Sequence, residues 1–235
     1  MTIFAVKVIV VLAAISYVSF LLLPAFLYQV LRLPDEVWTP LLNSVLYSTV
    51  ATFIVLPVAM LLAFYISRRS MGGIMPLLTF STAIPHTAVG LLLLPLFTRA
   101  GIVDTAPAVV VSMVVVSLPI GIGTLVATFT STQRSLDEVL QPLGLDDFQI
   151  LWFHVRTSAM GVLTSFLLTW LRSFSELGAF LIVANRPTTV GIHLLELFHK
   201  GGAAASVPYA VLLGFIGLLF STTLFLISRR TSAVV

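Results

Sequence analysis

Long apolar runs separated by short charged clusters set the layout of this chain. No Asp, Glu, Lys or Arg occurs in 8–31, 37–67, 70–98, 105–133 or 201–228, and a sixth run, 157–185, is interrupted only by Arg172 and Glu176. Eighteen or more such residues suffice to span a bilayer core, and lipid leaves the backbone no partner but itself, so each run reads as a helix. The pattern predicts an all-α membrane protein with about six spans, near 6–31, 42–67, 73–98, 107–131, 158–184 and 205–228. Strict alternation, the mark of a barrel strand, is missing. The first run is longer than the 7–15 apolar residues of a signal-peptide core and lacks a convincing small-residue cleavage site, so it reads as a retained span.

Composition agrees with the pattern. The 235 residues are 59% hydrophobic and 9% charged, against about 25% charged in soluble domains. A single membrane domain over 1–235 is expected, with no separate soluble unit. Cysteine is absent, which removes disulfides and thiolate chemistry. The net charge of +3 bears on orientation rather than on a nucleic-acid partner. With the N-terminus inside, the inner segments hold Lys7, Arg68, Arg69, Arg134, Arg156, Arg229 and Arg230, and the outer ones Arg32, Arg99, Arg186 and Lys200. That bias favours cytosolic termini in a plasma membrane.

Pro24, Pro57, Pro85, Pro95, Pro119 and Pro208 fall inside the predicted spans. Each removes a backbone donor and tends to kink its helix, although membrane helices tolerate proline. Ser165, Thr169, Arg172 and Glu176 recur at helical spacing as a polar stripe, and Arg172 and Glu176 are four apart, so they can pair on one face. Ionisable groups at membrane depth face a protein interior or a wet cavity. A structural ion pair and a gate are both compatible with them. A ligand site on Arg172 for an anion fits poorly, because the paired carboxylate would repel any anion.

The segment between the fourth and fifth runs carries Asp137, Glu138, Asp146 and Asp147. Ser135-x-x-Glu138 and Asp146-x-x-Gln149 are capping-box patterns that can each start a short helix. Gly144 lies between them, where a helix end favours positive φ. The expected structure over 135–150 is helix, glycine turn, helix, with Leu143 and Leu145 as apolar knobs beside the turn. So short a hairpin is unstable alone, and apolar knobs with an acidic rim suit docking into a partner.

Glu138-Val-Leu-Gln-Pro-Leu-Gly144 resembles the EAA motif of ABC importer permeases in its Glu-to-Gly spacing, with Val139 and Leu140 in place of the alanines. Ile84-Pro-His-Thr-Ala-Val-Gly-Leu-Leu-Leu-Leu93 resembles the Pro-Pro-Thr-Val-x-Gly-Leu-Leu-Leu stretch of molybdate and tungstate permeases, matching at Pro85, Thr87 and Gly90. Arg172-Ser-Phe-Ser-Glu-Leu-Gly-Ala179 is similar to their Arg-x-x-x-Glu-Phe-Gly-Ala block. The resemblance implies a permease subunit that imports an oxyanion, molybdate or tungstate, with sulfate or another anion as the alternative. It implies a second copy of the chain, an extracytoplasmic oxyanion-binding protein, and a cytosolic ATPase that carries the ATP and Mg, leaving this chain without cofactor or catalytic residue. ATPase coupling then falls to Asp137, Glu138, Leu143, Gly144, Leu145 and Asp146. The pathway or gate falls to Pro85, Thr87, Gly90, Thr169, Arg172, Glu176 and Gly178.

The remaining polar residues change little. His193-x-x-Glu196-x-x-His199 spreads over about 120° of a helix, unlike a metal-binding His-Glu-x-x-His, and reads as an outer segment that touches the delivery protein. His86 reads as a hydrogen-bonded packing histidine. No phosphate-binding loop or Gly-x-Ser-x-Gly elbow occurs. An ion-coupled secondary transporter would need coupling carboxylates at the midplane or inverted repeats, and Glu176 alone is thin support.

Overall fold

The computed structural model describes residues 3–27, 37–69, 71–140 and 144–232. They form nine α-helices among the described residues: α1 (Ile3–Leu27), α2 (Trp38–Arg68), α3 (Met75–Thr79), α4 (His86–Ala100), α5 (Ala106–Leu140), α6 (Asp147–Thr157), α7 (Ala159–Phe174), α8 (Phe180–Val183) and α9 (Val190–Ser232). The chain is an all-α membrane protein. Among the described residues α2, the 106–131 part of α5 and the 190–223 part of α9 are each long and apolar enough to cross a bilayer, and α1 contains a shorter apolar stretch, Val10–Pro24.

Two predicted spans are not single straight helices. The run 73–98 divides into Gly72–Ala83 and His86–Ala100, bent by 95°. The cause is Pro85: it forces Ile84 into an extended conformation, φ −110° and ψ 148°, and cannot donate to the preceding turn. The run 158–184 is helical only to Phe174, then turns through Ser175–Ala179 into the four residues of α8. Counting each bent pair, 72–100 and 147–174, as one span gives up to five crossings among the described residues. Pro57, Pro95 and Pro119 lie within continuous helices. In α9 the kink sits at Gly202, φ 64°, rather than at Pro208. This helix starts at Val190, well before the predicted 205.

The centre of the bundle is α2, α5 and α7. On α2, Ala51, Val55, Ala59 and Ala63 are fully buried. Small residues at four-residue spacing let backbones approach closely where lipid supplies no hydrophobic drive. On α7, Gly161 meets α5 so closely that a Cβ there would lie 2.2 Å from Thr128 Cγ2. Buried hydroxyls on α2 and α5 bond back to their own backbone, as Thr52 Oγ1 does to Ser48 O at 2.7 Å and Ser117 Oγ to Met113 O, also at 2.7 Å. That satisfies them without water. Phe20, Leu42, Phe53, Leu92 and Leu219 stand outside the bundle, as side chains facing lipid should.

Overpacking a tight helix crossing costs about 1–3 kcal/mol. Gly161→Ala should therefore lower the thermal unfolding midpoint of the detergent-purified protein, and Thr128→Ala in the same chain should recover part of the loss. Two additive losses would show that the helices do not meet there.

Candidate gate and coupling surface

The two chain breaks meet. Pro85 caps α4, its carbonyl accepting from Ala88 N at 2.8 Å and Val89 N at 3.2 Å. The turn after α7 lies against this helix start. A Cβ on Gly90 would fall 2.2 Å from the Ala179 carbonyl oxygen, and one on Gly178 would fall 2.9 Å from His86 Cβ and 3.3 Å from Thr87 N. Only glycine allows either approach.

An ion pair closes the joint. Arg172 Nη2 donates to Glu176 Oε2 at 2.8 Å and lies 2.7 Å from His86 Nε2 and 2.8 Å from Nδ1. A guanidinium only donates, so the imidazole nitrogen it meets must accept. Glu176 Oε1 accepts from Ala179 N at 2.8 Å and so ties down the start of α8. The Glu176 side chain is 1% exposed, that of Arg172 19% and that of His86 37%. The carboxylate is thus sealed in, while the cation and the imidazole are partly exposed.

Of the predicted gate residues, Pro85, Thr87, Gly90, Arg172, Glu176 and Gly178 come together here. Thr169 does not. The polar stripe divides, because Ser165 and Thr169 turn toward α5, where Ser165 Oγ donates to Gly121 O at 3.2 Å and Thr169 Oγ1 would sit 3.2 Å from a Cβ on Gly121. Thr169 is fully buried, with no hydrogen-bond partner among the described residues. Glu176 lies past the end of α7, in the turn, so its pairing with Arg172 comes from the chain break as much as from helical spacing. His86 is more than a packing residue. Its signal in the sequence was its place directly after the proline that breaks the span.

At the other end of α7 the chain bends by 82° into α6. Asp146 caps α6 as the pattern predicts: its Oδ1 accepts from Gln149 N at 2.8 Å, and Gln149 Oε1 accepts from Asp146 N at 3.0 Å. Gly144 has φ 71°, a conformation that costs an L-residue about 1–2 kcal/mol. No separate helix starts at Ser135, because α5 runs unbroken to Leu140 and the serine has no free helix end to cap. Asp137 and Glu138 lie on its last turns, with side chains outside what is described. Leu143 lies outside the described residues. Leu145 is half-buried against the core, whereas Phe148, in the first turn of α6, is 75% exposed. The hairpin is anchored by Ile150, Leu151 and His154 on α6, with the His154 ring 5.8 Å from that of Phe64 and 5.7 Å from that of Phe129. An ion pair between Arg68 and Asp147 adds to the anchor.

On the far side, His193 packs on Tyr209 with ring centres 5.3 Å apart, while Glu196 faces Lys200 at 4.0 Å. Among the described residues no group of three or more potential metal ligands forms.

Residues 55–233 match the family described as the inner membrane component of binding-protein-dependent transport systems. The chain belongs to that family. This permease is the membrane component of an ABC transport system, not an enzyme, and its family works with ATPase and substrate-binding partners and as a dimer. It is 30% identical to the molybdate/tungstate transport system permease protein WtpB of Thermococcus kodakarensis, over 81% of this chain and 78% of that one. It is 27% identical to a probable molybdenum ABC transporter permease of Haloferax volcanii, over 76% and 71%. A ferric transport system permease, FbpB of Actinobacillus pleuropneumoniae, is 26% identical, and the match covers 27% of its length.

Removing one partner of a buried ion pair costs about 3–5 kcal/mol because the other charge is left unpaired. Arg172→Met should therefore lower the yield and thermal midpoint of the purified permease more than the double variant Arg172→Met/Glu176→Gln does. Equal losses would show that the carboxylate is not sealed. At the other end, Asp146→Ala should speed amide exchange in the first turn of α6, matching a cap worth about 1 kcal/mol, and leave exchange in α7 unchanged.

Proposed function

We propose that this chain is the permease of an ABC importer for molybdate or tungstate, working as a pair of copies in a prokaryotic plasma membrane with both termini in the cytosol. One domain over 1–235 would supply about six spans per copy. The observation that carries the reading is the match to the transport family over 55–233, and the relatives named for molybdate and tungstate support the substrate.

A cytosolic ATPase, holding the ATP and Mg, docks on the turn around Gly144. Leu145 and Asp146 lie at its margin, and the sequence assigns Asp137, Glu138 and Leu143 to the same surface. The rigid seating of α6 on Phe64 and Phe129 means that a push on the turn reaches α2, α5 and α7 as one body. An oxyanion-binding protein delivers cargo at the opposite face, where 190–200 is exposed in part. The joint of Arg172, Glu176 and His86 serves as the gate. Its carboxylate is already occupied, so the joint holds two chain breaks in register and does not bind the anion tightly. ATP binding and cargo delivery bias the same two-state equilibrium. Thr169 belongs to the rigid α5–α7 contact and does not line the path.

Uptake by vesicles holding the permease, its ATPase and the binding protein tests this. Tungstate or molybdate uptake should need ATP, and Gly144→Val should release the ATPase on purification and abolish uptake while the permease stays folded. Uptake of sulfate alone would overturn the substrate. Retention of the ATPase with full uptake in Gly144→Val would overturn the docking surface.

A further inference from the structure

An apolar groove runs between α2 and α6, away from the charged joint and beginning at the first turn of α6. It encloses about 340 Å³ between Pro57, Met60 and Leu61 on one side and Phe148, Trp152 and Val155 on the other, and its wall is wholly apolar. Its depth follows from the helix. Leu61 and Pro57 precede Arg68 by seven and eleven residues, so at 1.5 Å per residue the groove lies about 10–16 Å along α2 from its arginine end. Half of a hydrocarbon core is about 15 Å. With Arg68 and Arg69 at the membrane surface, the groove opens at the level of the acyl chains of one leaflet.

Its rim is basic. Arg156 is exposed, its Cζ 5.1 Å over the Trp152 ring, and it has no ion pair among the described residues. Arg69 is also exposed, stacked 5.7 Å over Tyr65. Arg68, by contrast, is committed to Asp147. A helix bent 82° from the span that follows it, with Phe148, Trp152 and Phe153 in the open and arginine beside the tryptophan, has the make-up of an interfacial helix. We propose that the α2–α6 groove binds one anionic phospholipid, with an acyl chain between Met60 and Trp152 and the headgroup phosphate on Arg156. A soluble protein filling the same groove would have to enter hydrocarbon, which is why lipid is the occupant. A lipid seated there would brace α6, the helix that carries the Gly144 turn, so the composition of the leaflet would tune coupling. That last step rests on the function proposed above; the lipid site does not.

The test uses the permease with its ATPase in phosphatidylcholine vesicles doped with brominated phosphatidylglycerol or, separately, brominated phosphatidylcholine. Bromine quenches nearby tryptophan, and subtracting the signal of Trp152→Phe isolates Trp152. Half-quenching should need about fivefold less of the anionic lipid, the effect of one arginine near a charged headgroup. Arg156→Gln should remove the difference while quenching itself persists. Equal potency of the two lipids on the unaltered protein would overturn the proposal. So would a Trp152 that neither lipid quenches in the complex but both quench in the permease alone, because the ATPase or the second copy would then cover the groove. Neither result touches ATP-dependent uptake, so this inference and the importer reading fail separately.

Discussion

The buried carboxylate of Glu176 is the constraint around which the membrane half of this protein is arranged. A charge sealed from solvent has to be paired and hydrogen-bonded, and its partners come from different pieces of chain: Arg172 from the end of α7, Ala179 from the start of α8, and, through the arginine, His86 from the start of α4. Those pieces meet only because Pro85 interrupts one span and α7 ends early at Phe174. The glycines at 90 and 178 then follow, since any side chain there would push the breaks apart. One electrostatic requirement thereby explains a proline, two glycines and the burial of a carboxylate.

The same economy appears at the other end of the bundle, by different means. There the fixed element is α6, seated by apolar contact and by its capping box, with the Gly144 turn projecting from it. Between the two ends run α2, α5 and α7, packed through alanines and glycines with little room to deform separately. Such a unit transmits displacement as a rigid body, which an importer driven by ATP hydrolysis on another subunit requires. The arrangement puts the charged joint at one end of α7 and α6, which carries the glycine turn, at the other, so α6 and α7 together are the mechanical link between them.

Much of this was legible in the sequence, for physical reasons that differ by element. The apolar runs announced membrane helices because lipid leaves the backbone no alternative. The Asp146 cap and the positive φ of Gly144 followed from local chemistry that does not depend on tertiary contacts. The Arg172–Glu176 pair was legible from its cost at membrane depth. What spacing alone could not give was where a span breaks. Pro85 breaks its helix while Pro57 and Pro119 do not, because a tolerated proline depends on neighbours that compensate for the lost hydrogen bond. Helical spacing placed Thr169 with Arg172, yet the bundle turns the threonine toward Gly121. Ser135 carries a good capping pattern, but α5 continues through it, and a cap matters only where a helix begins. His86 reads from the sequence as a hydrogen-bonded packing histidine, and the hydrogen bond is there, but its partner Arg172 is 86 residues away and spacing could not name it.

The central claim is that the two chain breaks form one joint that must move for transport. The absence of cysteine gives a clean background for a probe, and Ala179 is fully buried in the joint against Gly90. In reconstituted vesicles that retain uptake, Ala179→Cys should react with a small maleimide several-fold faster while the complex hydrolyses ATP than while it rests. Equal rates during full uptake would contradict the account.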